Sequence, residues 1–302
     1  MFGPSHGIDG RPIIKAAHGS TTAGENARYW RHPGLPDVEL LRASFVRHSF
    51  DRHAHDQYAI GVIEAGIEEY RYRGELHRAG SGGIVVVEPG EVHTGHAGLP
   101  EGWRYRMLYP EVPVLAEVAR ELGRSGTPAF AGSVLTDPAT ARRLRAAHLA
   151  AEHGDRLAAS SLMRAALRDL VHRHARADRV RATPDSGRPT PSRIAAQARD
   201  ILHADIVDPP ALPELAAAVG VTPFALLRAF RAAYGFPPHS YLIQVRVMRA
   251  RRLLADGRSP RDVAAEVGFA DQAHLSRHFK RRLGVPPGAY RRGLATMPVP
   301  DS

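Results

Sequence analysis

The 302-residue chain reads as a multidomain protein: a mainly-β unit followed by helices, then an all-α domain containing two helix-turn-helix units. Three observations predict this. The length exceeds one ordinary small domain. Residues 37–110 hold short β-branched runs cut by Gly and Pro. Residues 193–292 are helical in pattern and contain an internal repeat.

The β unit comes first. LLRASFV, QYAIGVIEAG, GGIVVVEPGE and WRYRMLYPE are runs of strand length at about ten-residue spacing, as in an antiparallel sandwich or barrel. The preceding residues, 1–36, read as a flexible tail. Their opening MFGPSHGIDGRPIIKAAHGS lacks the basic and apolar segments of a secretory signal. No stretch approaches the roughly 18 uncharged apolar residues of a membrane span, so no membrane partner is expected. The absence of cysteine fits a reducing cytoplasm, the expected compartment.

Residues 111–178 follow as a helical segment. Leu162, Met163, Ala166, Leu167, Leu170 and Val171 recur at i, i+3, i+4 spacing, a stripe suited to internal packing or to a homodimer seam, the seam being preferred. RVRATPDSGRPTPS, residues 179–192, has little to bury and reads as a linker.

The repeat lies beyond the linker. PELAAAVG at 213–220 matches RDVAAEVG at 261–268, and Leu226, Arg228, Phe230, Gly235 and Tyr241 match Leu275, Arg277, Phe279, Gly284 and Tyr290. In each copy a short helix ends at Gly220 or Gly268, where a left-handed residue is needed. Thr222 or Asp271 then caps a second helix. HSYLIQVRVMRARRLLADG joins the copies as one helix, with Leu242, Val245, Met248 and Leu253 on its apolar face, four arginines supplying charge and Gly257 as the C-cap. Residues 293–302 read as a C-terminal tail.

Charge agrees with a polyanionic partner. The formal net charge is +10, and residues 193–302 carry 16 Lys+Arg against 9 Asp+Glu, so the shorter part holds most of the excess. Lys15 and Lys280 are the only lysines, so this excess also reflects a general preference for arginine.

VAAEVGFADQAHLSRHFKRRLGVPPGAYRR carries a G-F pair, an L-x-R-x-F-K core, a Gly before two prolines and a closing Y-R. On these residues the segment 193–292 resembles the DNA-binding domain of the AraC/XylS family of bacterial transcription regulators. The resemblance implies double-stranded operator DNA and RNA polymerase as partners, with activation the expected sign. Helical geometry places Gln272, Ala273, His274, Ser276 and Arg277 on or near the outer face of the second recognition helix. Gln and Arg can bond adenine and guanine in bidentate fashion. Lys280, Arg281 and Arg282 then fall where phosphates would lie. The equivalent set in the first copy is Phe224, Ala225, Leu227 and Arg228, with Arg231 toward the backbone, so that copy has one polar reader.

H-A-H-D at 53–56 and P-G-E-V-H at 89–93 lie in the strand-rich zone. They resemble the cupin-type sensor domain that often precedes an AraC-type DNA-binding domain. His53, His55 and His93 match the three histidines of metal-binding cupins, but the glutamate expected shortly after His55 is missing, and the second motif is one residue short. Three roles stay open for these histidines: pocket donors to a small effector, structural histidines, or metal ligands. The first is preferred, with no metal or cofactor expected. Tyr58, Glu64, Tyr70, Tyr72 and Trp103 complete the expected effector-binding set.

No catalytic residues are expected. The rival reading is a metal-dependent cupin enzyme fused to a DNA-binding domain, and the missing glutamate counts against it. The absence of cysteine excludes disulfides, thiolate zinc sites and any alkyl transfer to cysteine.

Overall fold

The computed structural model describes residues 25–176 and 192–295. The N-terminal unit is an antiparallel β structure in two curved layers. One layer runs β1 (Asn26–His32), β2 (Leu35–Phe45), β8 (Trp103–Pro110), β4 (Ala59–Tyr72), β6 (Ile84–Val87) and β9 (Val134–Leu135). β4 is long enough to serve both layers, and its far half pairs with β5 (Glu75–Gly80) and β7 (His93–Ala97), the latter also pairing with β3 (Phe50–His53).

Alternation along the first layer divides its side chains between two cores. Leu40, Ile60, Val62, Ile84, Val86 and Leu108 face α1 (Val112–Glu121), α2 (Pro138–Glu152) and α3 (Arg156–His174). Leu41, Ala59, Ile63, Val85, Val87, Tyr105 and Met107 face the barrel interior. A β-bulge between Ile63 and Ala65 shifts this alternation by one residue, so beyond it Tyr70 and Tyr72 face inward.

One expected boundary and one expected interface change. β1 and the start of β2 occupy residues assigned to the tail, because YWRHPGLPDVELL forms a hairpin whose strand β1 packs on β2. The α3 stripe is internal: Met163, Ala166, Leu167, Leu170 and Val171 are buried among α1, α2 and the sheet, so this face is not available as a dimer seam. Only Leu162, at its edge, is exposed. The expected linker lies outside the described residues except for Ser192, and the C-terminal tail does so beyond residue 295.

The C-terminal part holds α4 (Arg193–Ala204), α5 (Leu212–Ala218), α6 (Pro223–Tyr234), α7 (Pro238–Ala255), α8 (Pro260–Glu266), α9 (Gln272–Leu283) and α10 (Pro287–Leu294). The repeat is explicit, since α6 and α9 are both 12 residues long and both end at a glycine, Gly235 at φ +75° and Gly284 at φ +77°. Gly220, Gly257 and Gly268 have positive φ as the C-cap reading requires. Among the described residues no single helix is long and apolar enough to cross a membrane.

The two units sit differently. α4, α5 and α6 enclose a small core of their own around Leu202, Leu215, Leu226 and Phe230. α7 to α10 share one continuous core with the barrel interior, in which Val263, Leu275, Phe279 and Tyr290 meet Tyr29, Phe45 and Phe50. The second unit is thus built onto the barrel rather than tethered to it. Arg246 and Arg251, two of the four arginines expected to supply charge on α7, are buried: Arg246 donates to the carbonyls of Ile206 and Val207, and Arg251 pairs with Glu39.

Candidate functional site: a recognition-helix pair and the barrel cavity behind it

Each helix-turn-helix begins from local chemistry. The Thr222 hydroxyl accepts from the Ala225 N–H at 3.3 Å, and the Asp271 carboxylate accepts from the His274 N–H at 2.6 Å, closing the first turns of α6 and α9. Pro223 occupies the first turn of α6, where its missing N–H costs nothing. The axes of α5 and α6 cross at 83°, close to the angle of helix-turn-helix pairs.

On α9 the buried positions Leu275, Phe279, Arg282 and Leu283 form the i, i+4, i+7, i+8 inner stripe. Gln272, Ala273, Arg277 and Arg281 are therefore exposed, while His274, Ser276 and Lys280 are half-buried. The His274 ring lies against Phe269 and His278, and its Nε2 is 3.1 Å from Nε2 of His278, so it is held along the helix. On α6, Phe224, Arg228 and Arg231 are exposed, with Ala225 and Leu227 half-buried. The Arg228 guanidinium lies 5.7 Å from the Phe224 ring centroid, a cation-π pair at the outer end of the helix. The two faces present guanidinium groups, an amide and apolar surface to the same solvent, the groups that bond phosphates and base edges.

Behind α9 lies a small cavity within the barrel, about 30 Å³ in its enclosed part and opening to solvent. His53 and His93 face one another directly across the β3–β7 pairing, and His55, two residues on, returns to the same side. Ring centroids are 4.2 Å apart for His53 and His93, 4.8 Å for His53 and His55, and 5.0 Å for His55 and His93. Nδ1 of His53 donates to the Asp51 carbonyl at 2.7 Å and Nδ1 of His93 to the Glu91 carbonyl at 2.9 Å, which leaves their Nε2 lone pairs available. The turn bearing Glu91 is held by Arg73, which reaches Glu88 at 2.8 Å and Glu91 at 3.3 Å.

Burial holds all three imidazoles neutral, with His93 lowered to about 4 and His53 and His55 well below their ordinary value. Each offers a ring nitrogen within 4.8 Å of the others, a spacing that can close on a metal ion, but no carboxylate among the described residues belongs to the cluster. Glu68 lines the same cavity, and burial alone pushes its carboxyl up to about 8. Gly95 makes room for it, since a Cβ there would stand 3.2 Å from the Phe50 ring and 3.3 Å from the Glu68 carboxylate.

Of the expected effector-binding residues, His53, His55, Tyr70 and His93 line the cavity. Four do not. Glu64 is the extra residue of the bulge between Ile63 and Ala65, and its carboxylate binds Arg106 and Arg145 at 2.8 and 3.0 Å. Tyr58 has outward parity and donates to the Pro128 carbonyl in the helical core. Tyr72 ends β4 against His77, and Trp103 is packed against Phe45 and Tyr105 in the core beside the cavity.

Glu68, Tyr105, Tyr109 and Arg282 line the cavity unanticipated. The strand alternation of WRYRMLY, with Trp103, Tyr105, Met107 and Tyr109 on one face, turns Tyr105 and Tyr109 inward. Arg282, expected among the phosphate contacts, follows the inner stripe of α9 and is 7 % exposed. Its helical position, three residues past Phe279, is the signal that could have found it.

Comparisons with known proteins agree with this geometry. Residues 35–167 match the model of the AraC-like ligand binding domain, and residues 215–293 match a helix-turn-helix domain model. The HTH-type transcriptional regulator YbfI of Bacillus subtilis is 26% identical over 218 residues, covering 72% of this chain and 78% of that protein. An AraC-like transcription regulator of Streptomyces antibioticus is 36% identical over 100 residues, 33% of each chain. The crystal structure of ToxT from Vibrio cholerae O395 shares the fold, with a TM-score of 0.50 at 12% identity over 91% of this chain and 100% of that one.

Proposed function

The chain belongs to the AraC family of transcriptional regulators, and from that premise we propose how its parts cooperate. α6 and α9 lie against operator DNA, and a small molecule in the barrel cavity biases whether they do. The observation that carries this reading is the composition of the cavity wall: three histidines and Glu68 come from the sensor, whereas Arg282 comes from α9 itself. A ligand touching that wall has different contacts when α9 moves, and such a difference is what lets a ligand shift a conformational population.

Within this reading the exposed Gln272, Ala273 and Arg277, with His274 and Ser276, read bases, while Lys280 and Arg281 hold phosphates. Phe224, Ala225, Leu227 and Arg228 make a weaker second reader, with Arg231 on the backbone. His53, His55, Tyr70 and His93 are donors and acceptors to the ligand rather than metal ligands, and the chain acts as a regulator, not an enzyme. Activation through RNA polymerase, action in the cytoplasm and pairing as a homodimer through a surface other than the α3 stripe complete the proposal.

Selection of the full-length chain against random DNA duplexes tests it. One enriched motif is expected. A pool without enrichment would mean a non-specific architectural binder.

A further inference from the structure

We infer that the barrel cavity takes a small organic acid carrying hydroxyl or carbonyl groups, and that Arg282 of α9 binds its carboxylate. This rests on the reading of the cavity as the effector pocket, and names the chemistry of what enters it.

Arg282 is a buried cation with no carboxylate in direct contact among the described residues. Its Nη1 donates at 3.3 Å to Nδ1 of His278 and at 3.3 Å to the His278 carbonyl, both on its own helix. Its Nε is shut off from solvent with no acceptor. Among the described residues no carboxylate lies within ion-pair distance of it; Asp51, exposed at the barrel rim, is the one acidic group whose charge reaches it. A guanidinium has five N–H donors, and burying one without a counter-charge is costly.

The remaining wall cannot supply that charge. The three imidazoles are neutral, and Glu68 is held protonated by burial with no cation acting on it. The cavity therefore combines one positive charge with neutral donors and acceptors: the free Nε2 atoms of His53 and His93, the Glu68 carboxyl and the ring hydroxyls of Tyr105 and Tyr109. A carboxylate satisfies the guanidinium with two parallel N–H···O bonds. Hydroxyl or carbonyl groups on the same molecule satisfy the imidazoles and Glu68, which a purely aliphatic acid would leave unpaired. The enclosed part of the cavity is small, about 30 Å³, and opens to solvent, so the acid it takes is compact.

Recognition by Arg282 also links occupancy to the reading face directly. The carboxylate competes for the donors that Arg282 gives to His278, and Nε2 of His278 is 3.1 Å from Nε2 of His274 on the outer half of the helix.

Thermal melting of the full-length protein tests this with acids and their uncharged counterparts: D-gluconate against D-glucitol, glycolate against glycolamide and L-lactate against L-lactamide, at matched chloride. At least one acid is expected to raise the melting temperature by about 2–4 °C where its counterpart does not. Arg282→Gln should abolish that response, and Arg282→Lys, which keeps the charge but loses the planar fork, should keep a weaker one. If Arg282→Gln does not fold, Arg282→Lys carries the test through its reduced response. The proposal is overturned if no acid shifts the melting temperature, if inorganic phosphate matches the acids, or if an Arg282 variant responds fully. Stabilisation by D-glucitol alone, lost in His93→Ala, would keep the effector-pocket reading and remove the acid. No response to any probe, with a DNA motif still enriched, would leave the DNA-reading assignment intact and remove this one.

Discussion

Arg251 and Glu39, 212 residues apart in the chain, form an ion pair at 2.8 Å with both side chains closed to solvent, and the Tyr290 hydroxyl bonds to each of them. The pair pins α7 and α10 to β2 and so joins the second helix-turn-helix to the sensor barrel. It also has a polarity: removing either partner strands a buried charge.

Glu39→Ala is therefore expected to cost about 3–5 kcal/mol of unfolding free energy by urea titration, well above a surface ion pair. The double variant Glu39→Leu with Arg251→Met should recover most of that loss. Equal losses in the single and double variants would show that the site depends on packing volume rather than on the stranded charge.

Leu167→Ala on α3 should lower stability by about 2–5 kcal/mol, because Leu167 is buried against α1 and α2. Its sedimentation behaviour should match that of the parent. A change in oligomeric state with little loss of stability would return the stripe to a dimer seam.

Neutral buried histidines set the acid limit of the fold. His93 and His148 are lowered to about 4 by burial, against an ordinary 6.5, and His53 and His55 are also well below it. The unfolded chain binds these protons more tightly, so the stability they carry is complete above 6.5 and is lost as pH falls toward 4. The urea midpoint should drop between about pH 7 and about pH 5. A midpoint unchanged over that range contradicts the neutral cluster.

Glu68 has the opposite sign. Its carboxyl is pushed up to about 8, so burial costs nothing below the ordinary 4.5, and the penalty grows as pH rises toward 8. Glu68→Gln should stabilise the protein, with the gain increasing from pH 5 to pH 8. A gain independent of pH would mean that the carboxyl is not titrating in the folded state.

The C-terminal helices and their ends were legible because helix signals are local, but the inner face of α7 was not: Ile243, Val247, Ala250 and Leu254 are buried, whereas the expected Val245, Met248 and Leu253 are half-buried. The repeat, the caps Thr222 and Asp271, and the left-handed glycines Gly220, Gly257 and Gly268 all depend on neighbours within a few positions. The barrel was legible as a class, and His53, His55, Tyr70 and His93 as wall residues. The bulge at Ile63/Ala65 was not: it inverts the facing of every later residue in β4, so Glu68 lines the cavity whereas the expected Glu64 does not. The docking of α7–α10 onto the barrel depends on pairings such as Arg251 with Glu39, which leave no mark in sequence spacing.

The most direct test of the account is equilibrium binding of the parent, Arg277→Ala and Lys280→Ala proteins to the selected duplex and its single-base variants, across about 50 to 200 mM salt. Arg277→Ala is expected to lose about 1–3 kcal/mol of discrimination at one base pair. Lys280→Ala should weaken binding to every duplex alike and reduce the salt slope by about one. If the two variants behave identically, or if Arg228→Ala alone erases the preference, α9 is not the principal reader and the account is wrong at its centre.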